Sequence, residues 1–101
     1  MFHKYKVQKM SSKQAYEMMG KEDIVVVDVR EDDEYRSGHI LHALSIPLST
    51  INKENNQLPD KNKTLLIYCR SGYRSQKAAK KFVQLGYKDV YDFGGILDWP
   101  Y

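Results

Sequence analysis

The chain has 101 residues, 42% of them hydrophobic and 29% charged, with a net charge of +3 and one cysteine. That length supports a single domain, residues 1–101, with one real core and little to spare. The lysines are scattered with no dense basic run, which argues against nucleic acid as a partner, and one cysteine excludes an internal disulfide or a multi-cysteine zinc site.

The N-terminal residues lack the apolar core of a signal peptide, and no stretch approaches the ~20 apolar residues of a membrane span, so a cytoplasmic location is expected. Residues 5–10 alternate apolar and polar, which predicts a short half-exposed strand. Ser11 or Ser12 offers an N-cap for a helix carrying Ala15, Met18 and Met19 on one face, and Gly20 ends it. Ile24-Val25-Val26-Val27-Asp28-Val29 is the strongest strand signal, and its lack of alternation predicts burial on both faces, as in a central parallel strand. Glu31-Asp32-Asp33-Glu34 suits the first turn of a short helix ending near Ser37-Gly38, with the acidic run as its solvated face.

A short strand over 44–46 is closed by Pro47, Ser49 and Thr50 cap another brief helix, and residues 52–63 read as a polar surface connection. Leu65-Leu66-Ile67-Tyr68 then forms a buried strand that ends at Cys69, and a helix opens after Gly72 and is capped by Gly86. Val90-Tyr91-Asp92-Phe93 is the last strand, and Gly94-Gly95 starts a tight turn toward Trp99, which plugs the core. Strands alternating with helices predict an α/β fold with a mostly parallel sheet, whose ligands bind at the carboxyl ends of the strands.

Cys69 stands at one such end. A strand that runs into a loop and then a helix points backbone N–H groups and the positive end of the helix dipole at one spot, which favours an anion. Arg70 and Arg74 add positive charge and Gly72 frees the turn, so the thiol is expected to be biased toward thiolate and nucleophilic, with a cradle for an anionic group attached to it; the alternative is an inert cysteine buried at a strand end.

Asp28-Val29-Arg30, Glu34-Tyr35, Gly38-His39-Ile40, Ala43 and Ile46-Pro47 resemble the first signature of rhodanese-like domains. Cys69-Arg70-Ser71-Gly72-Tyr73-Arg74-Ser75 resembles that family's active-site loop, and Gly94-Gly95 with Trp99 its closing motif. The resemblance implies a three-layer fold with a roughly five-stranded sheet flanked by helices. It implies that Cys69 takes a sulfane sulfur from a donor such as thiosulfate and becomes a persulfide. The sulfur then passes to a thiol, to cyanide or to a protein thiol, with Arg70, Ser71, Gly72, Tyr73, Arg74 and Ser75 as the cradle. No metal or organic cofactor is implied. Leu41-His42 depart from the Pro-Gly usual in the family.

Asp28 is a candidate for orienting Arg30 or the loop, or a strand-end cap; Arg30 either binds substrate or, as favoured, pairs with a neighbouring acid. His39 and His42 are read as structural, because sulfur transfer needs no general base once the cysteine is ionised. The ring of Tyr73 either lines the entrance or points to solvent. Two other readings compete with the sulfurtransferase. A phosphatase or arsenate reductase of the same fold uses Cys-x5-Arg, whereas Cys69 to Arg74 is Cys-x4-Arg. A binding or carrier module fed by a protein partner is the second, and the intact cysteine and arginines argue against a purely non-catalytic version.

Overall fold

Residues 64–69 lie at the centre of the sheet because they have almost no polar face to offer water. The computed structural model describes residues 5–52 and 57–101. Five strands assemble there: β1 (Val7–Lys9), β2 (Ile24–Asp28), β3 (Leu44–Ser45), β4 (Thr64–Cys69) and β5 (Asp89–Gly95). Their order is β1-β5-β4-β2-β3, and every neighbouring pair is parallel. Successive side chains of β4 point to opposite faces, so Leu65, Ile67 and Cys69 enter one core while Leu66 and Tyr68 enter the other. β2 does the same with Val27 and Val26. The two edge strands are only three and two residues long, which leaves little open backbone for unwanted pairing.

Three helices complete the layers: α1 (Ser12–Met18), α2 (Asp32–Arg36) and α3 (Tyr73–Gln84). Ala15 of α1 and Tyr35 of α2 pack into the core that holds Leu66 and Tyr68. Ala78, Ala79, Phe82 and Val83 of α3 fill the opposite core. Ser11 is the N-cap of α1: its hydroxyl accepts the Gln14 N–H while the Gln14 side chain accepts the Ser11 N–H. No helix among the described residues is long and apolar enough to cross a membrane. The expected three-layer α/β fold is thus the observed one.

Four local expectations change. Ser49 and Thr50 do not cap a helix; they lie inside a single 3₁₀ turn, Leu48–Thr50, that follows Pro47. Gly94-Gly95 do not begin a turn, because β5 runs through both. Trp99 is half-buried, packed against Phe93 and edge-on to Tyr16, so it lids the second core from outside. In the surface connection, residues 53–56 lie outside the described residues, but Leu58 is buried and its carbonyl accepts the Tyr87 hydroxyl.

The Leu41-His42 departure leaves the turn intact. Ala43 N–H donates to the Ile40 carbonyl across it, and His42 takes φ +69°, the left-handed conformation that glycine adopts freely. A side chain there costs about 1–2 kcal/mol, of which glycine returns part as unfolded-chain entropy. His42→Gly is therefore expected to stabilise the protein by roughly 0.5–1 kcal/mol, read as a higher urea midpoint at unchanged slope. A lower midpoint would show that the imidazole makes a stabilising contact that outweighs the strain.

Candidate active site

The carboxyl ends of β2, β4 and β5 converge, and each contributes a residue whose burial demands a partner. Cys69 ends β4 and is 1% exposed, and its Sγ accepts the Gly72 N–H at 3.0 Å. The chain turns back so tightly because Gly72 takes φ +104° immediately before α3. The register between β4 and β5 slips after Ile67, which brings Cys69 opposite Gly95. A Cβ on Gly95 would lie 2.3 Å from the Arg70 carbonyl oxygen and 2.6 Å from Ser71 Cα, so only glycine lets β5 press against the loop. The Arg70 carbonyl also accepts the Leu97 N–H, which ties the loop to the chain beyond β5.

The far end of the loop is anchored by a carboxylate that the sequence reading left as an ordinary strand residue. Asp92 is buried on β5, and its Oδ1 accepts the Ser75 hydroxyl at 2.7 Å and the Gly94 N–H at 3.0 Å. Its Oδ2 receives the Lys9 ammonium of β1 at 2.7 Å. The signal for it was a carboxylate inside an otherwise apolar strand; its partners, on β1 and α3, are too distant in sequence for spacing to reveal.

Asp28 and Arg30 form the expected pair, almost completely buried. Asp28 Oδ1 accepts the Arg30 backbone N–H, and Oδ2 accepts the guanidinium at 2.7 Å and the Tyr68 hydroxyl at 2.6 Å. The hydrogen bond to Asp28 raises the Arg30 pKa against the opposing effect of burial. Desolvation, then the Asp28 hydrogen bond, pushes the Tyr68 phenol well above its ordinary range. Arg30 spends another N–H on the Gly38 carbonyl, and the pair meets β4 through Tyr68, the residue before Cys69. Asp28 therefore orients Arg30 and the end of β4, with no hydrogen bond to the loop among the described residues. His39 is also structural: its Nδ1 pairs with the Tyr35 carbonyl and its ring stacks on Tyr35.

The loop side chains divide by position. Arg70 and Ser71 are exposed, and Tyr73 is 67% exposed with the Lys77 ammonium 4.6 Å from its ring centre. Arg74 is half-buried and forms a two-pronged pair with Glu34 of α2, at 2.6 and 2.9 Å. One member of the acidic run is thus a partner of the loop and does not belong to a solvated face. Arg74 is raised in pKa by its hydrogen bonds to Glu34, against the opposing effect of burial. Glu34 Oε1 also accepts the Glu31 N–H, which orients it at the first turn of α2.

Those hydrogen bonds to Arg74 lower the Glu34 pKa from its ordinary 4.5 to about 2. A depressed carboxylate stabilises the fold above the unfolded pKa and loses that contribution as pH falls through the folded one. Wild type should exceed Glu34→Gln by about 1 kcal/mol near neutrality. The gap should close between pH 4.5 and about 2 in urea titrations. A gap that does not change with pH would remove the ion pair as its source.

The sequence profile described as Rhodanese-like domain matches residues 11–100. A Coxiella burnetii protein named thiosulfate sulfurtransferase GlpE is 38% identical over 91 residues, covering 89% of this chain and 84% of its own. A tRNA uridine(34) hydroxylase from Buchnera aphidicola is 31% identical over 96 residues, covering 89% of this chain but 31% of that protein. Among solved structures, an Escherichia coli rhodanese with anions superposes with a TM-score of 0.69 at 35% identity, covering 74% of this chain and 89% of the other. The profile match spans nearly the whole chain, and the chain belongs to the rhodanese-like domain family.

Proposed function

We propose that the chain is a sulfurtransferase that carries sulfur as a persulfide on Cys69. The observation that carries this reading is the Gly72 N–H aimed at Cys69 Sγ at 3.0 Å, inside a Cys-x4-Arg loop whose shape Ser75, Asp92 and Gly95 enforce. The likeness to thiosulfate sulfurtransferase GlpE supports it. In the first step, the Cys69 thiolate attacks the sulfane sulfur of thiosulfate. The new S–S bond forms as the old one breaks, and sulfite leaves with the bonding electron pair. The Cys69 persulfide is then an anion in a loop with an N–H donor at its base and two arginines at 70 and 74.

In the second step an acceptor thiolate, or cyanide, attacks the outer sulfur and Cys69 departs as the thiolate. The chain has one cysteine, so the acceptor comes from outside it. Arg74 is already engaged by Glu34, so its charge is positioned and partly neutralised, while the exposed Arg70 keeps its full charge at the rim. A phosphatase reading is disfavoured by the loop itself. A Cys-x4-Arg ring closed by Gly95 leaves less room for a tetrahedral oxyanion than a loop one residue longer.

Intact-mass measurement after thiosulfate treatment tests the proposal. Wild type is expected to gain one sulfur atom, removable by cyanide or by a thiol, and Cys69→Ser to gain none. Absence of the adduct at excess thiosulfate would refute thiosulfate as donor, and phosphatase turnover by the unaltered protein would overturn the reading entirely.

A further inference from the structure

Helix α3 buries Ser75, Ala78, Ala79, Phe82 and Val83, and leaves Tyr73, Gln76, Lys77, Lys80, Lys81 and Gln84 exposed on its outer face. That face carries three lysines and no carboxylate. No ion pair among the described residues engages Lys77, Lys80, Lys81 or the exposed Arg70 of the adjoining loop. Lys77 stands three and four residues from Lys80 and Lys81, spacings at which like charges repel and weaken a helix by about 0.2–0.5 kcal/mol each. The Tyr73 ring under Lys77 and the place of Lys81 in the last turn of α3 offset part of that cost, but no carboxylate does.

The stripe begins at the loop and leads away from it. Lys81 lies eight positions beyond Tyr73, so the face extends about 12 Å along the helix axis. An anion as small as thiosulfate seated on Cys69 cannot reach the far lysines; only a macromolecule spans both. Two exposed apolar groups lie by the loop: Tyr73 where α3 begins, and Leu97, which is 63% exposed and bound through its N–H to the Arg70 carbonyl. An exposed tyrosine beside an exposed arginine is the pair of residue types most enriched in protein-binding hot spots, and a polar rim surrounds such anchors. Exposed carboxylates stand in the segments that adjoin the loop: Asp98 next to Leu97, Glu31 as the N-cap of α2, and Asp32 and Asp33 in its first turn. Those acids disfavour a uniformly negative polymer such as RNA lying across the loop.

We propose that the outer face of α3, with Arg70, Tyr73 and Leu97, docks an acidic partner protein that exchanges sulfur with Cys69. This rests on the sulfur-transfer reading and adds the chemistry of the partner. With Cys69 1% exposed, docking brings the partner's thiolate into the loop mouth, where it attacks the outer sulfur of the persulfide. The partner's S–S bond forms, the Cys69 S–S bond breaks, and Cys69 is released as the thiolate with no net oxidation.

The test uses two twelve-residue peptides ending in cysteine, one rich in aspartate and glutamate, the other with lysine at those positions. Both serve as acceptors from thiosulfate-loaded protein, beside dithiothreitol. The acidic peptide is expected to react about tenfold faster than the basic one at low ionic strength, and the advantage to shrink with salt. Lys80→Glu with Lys81→Glu, at the end of the face remote from the loop, should erase that preference while thiosulfate loading and the dithiothreitol rate stay within about twofold. Lys13→Glu with Lys21→Glu makes the same change in net charge on the α1 side of the sheet and should retain the preference. Equal peptide rates, or equal loss in both variants, would overturn the proposal. So would tighter binding of a twelve-nucleotide single-stranded RNA than of the acidic peptide in fluorescence anisotropy. If thiosulfate loads no sulfur, anisotropy still separates the two claims. Acidic-peptide binding lost only in the Lys80/Lys81 variant would keep the surface and discard the transfer reading; binding unaffected by that variant would discard the surface.

Discussion

Two buried carboxylates flank the central strand, and neither tolerates burial without its hydrogen bonds. Asp28 closes β2 on one side of β4, and Asp92 lies near the end of β5 on the other. Each holds a cation and a hydroxyl: Arg30 and Tyr68 for Asp28, Lys9 and Ser75 for Asp92. For the buried Asp28–Arg30 pair, removing one partner costs roughly 3–5 kcal/mol because the other charge is stranded, whereas the largely exposed Lys9 contributes less to holding Asp92. The consequence is positional. The carboxyl ends of three adjacent strands and the first turn of α3 must keep a fixed geometry for these groups to remain satisfied, and Cys69 sits among them. Every buried side-chain nitrogen and oxygen among the described residues has a partner.

The architecture was legible because its signals are local and redundant. The β-branched run at 24–27 and the apolar run at 65–68 lack alternation, and both became strands packed on two faces. A serine at 11 or 12 announced a helix start by side-chain chemistry alone, and the structure assigns the cap to Ser11, with Gln14 returning the bond. The loop was legible for the same reason: cysteine, glycine and two arginines within six residues carry their chemistry in their identities. Apart from the local 3₁₀ turn at Leu48–Thr50, the less legible features involve contacts between segments far apart in sequence. Glu34 looks like any helix-start acid until Arg74, forty residues later, is placed against it. Gly94-Gly95 resembled a turn because glycine pairs usually are turns; here the second glycine is needed because another backbone passes within van der Waals distance.

Charge is distributed in the same two-part manner. Within the site the two more buried arginines are matched, Arg30 by Asp28 and Arg74 by Glu34, while Arg70 stays exposed. Beyond the loop, along α3, the cations are left unmatched. The first pattern fixes atoms, since charge-assisted hydrogen bonds are short and directional. The second fixes none and acts at longer range through the solvent. The chain thus keeps a fixed, hydrogen-bonded site beside a helix face whose charge is free to act at a distance.

The contact between Gly95 and the loop also bears on how such a site can change over time. With the Arg70 carbonyl and the Ser71 backbone pressed against β5, there is no slack to admit an extra residue between Cys69 and Arg74. A longer loop suited to a bulkier anion would require β5 to end earlier or bend away, and the Leu97 N–H to find another acceptor. Two segments more than twenty residues apart would have to alter together, because a change in either alone would collide with the other. The size of the ring around the sulfur is thus set jointly, and a single insertion does not lead from this site to one of a different chemistry.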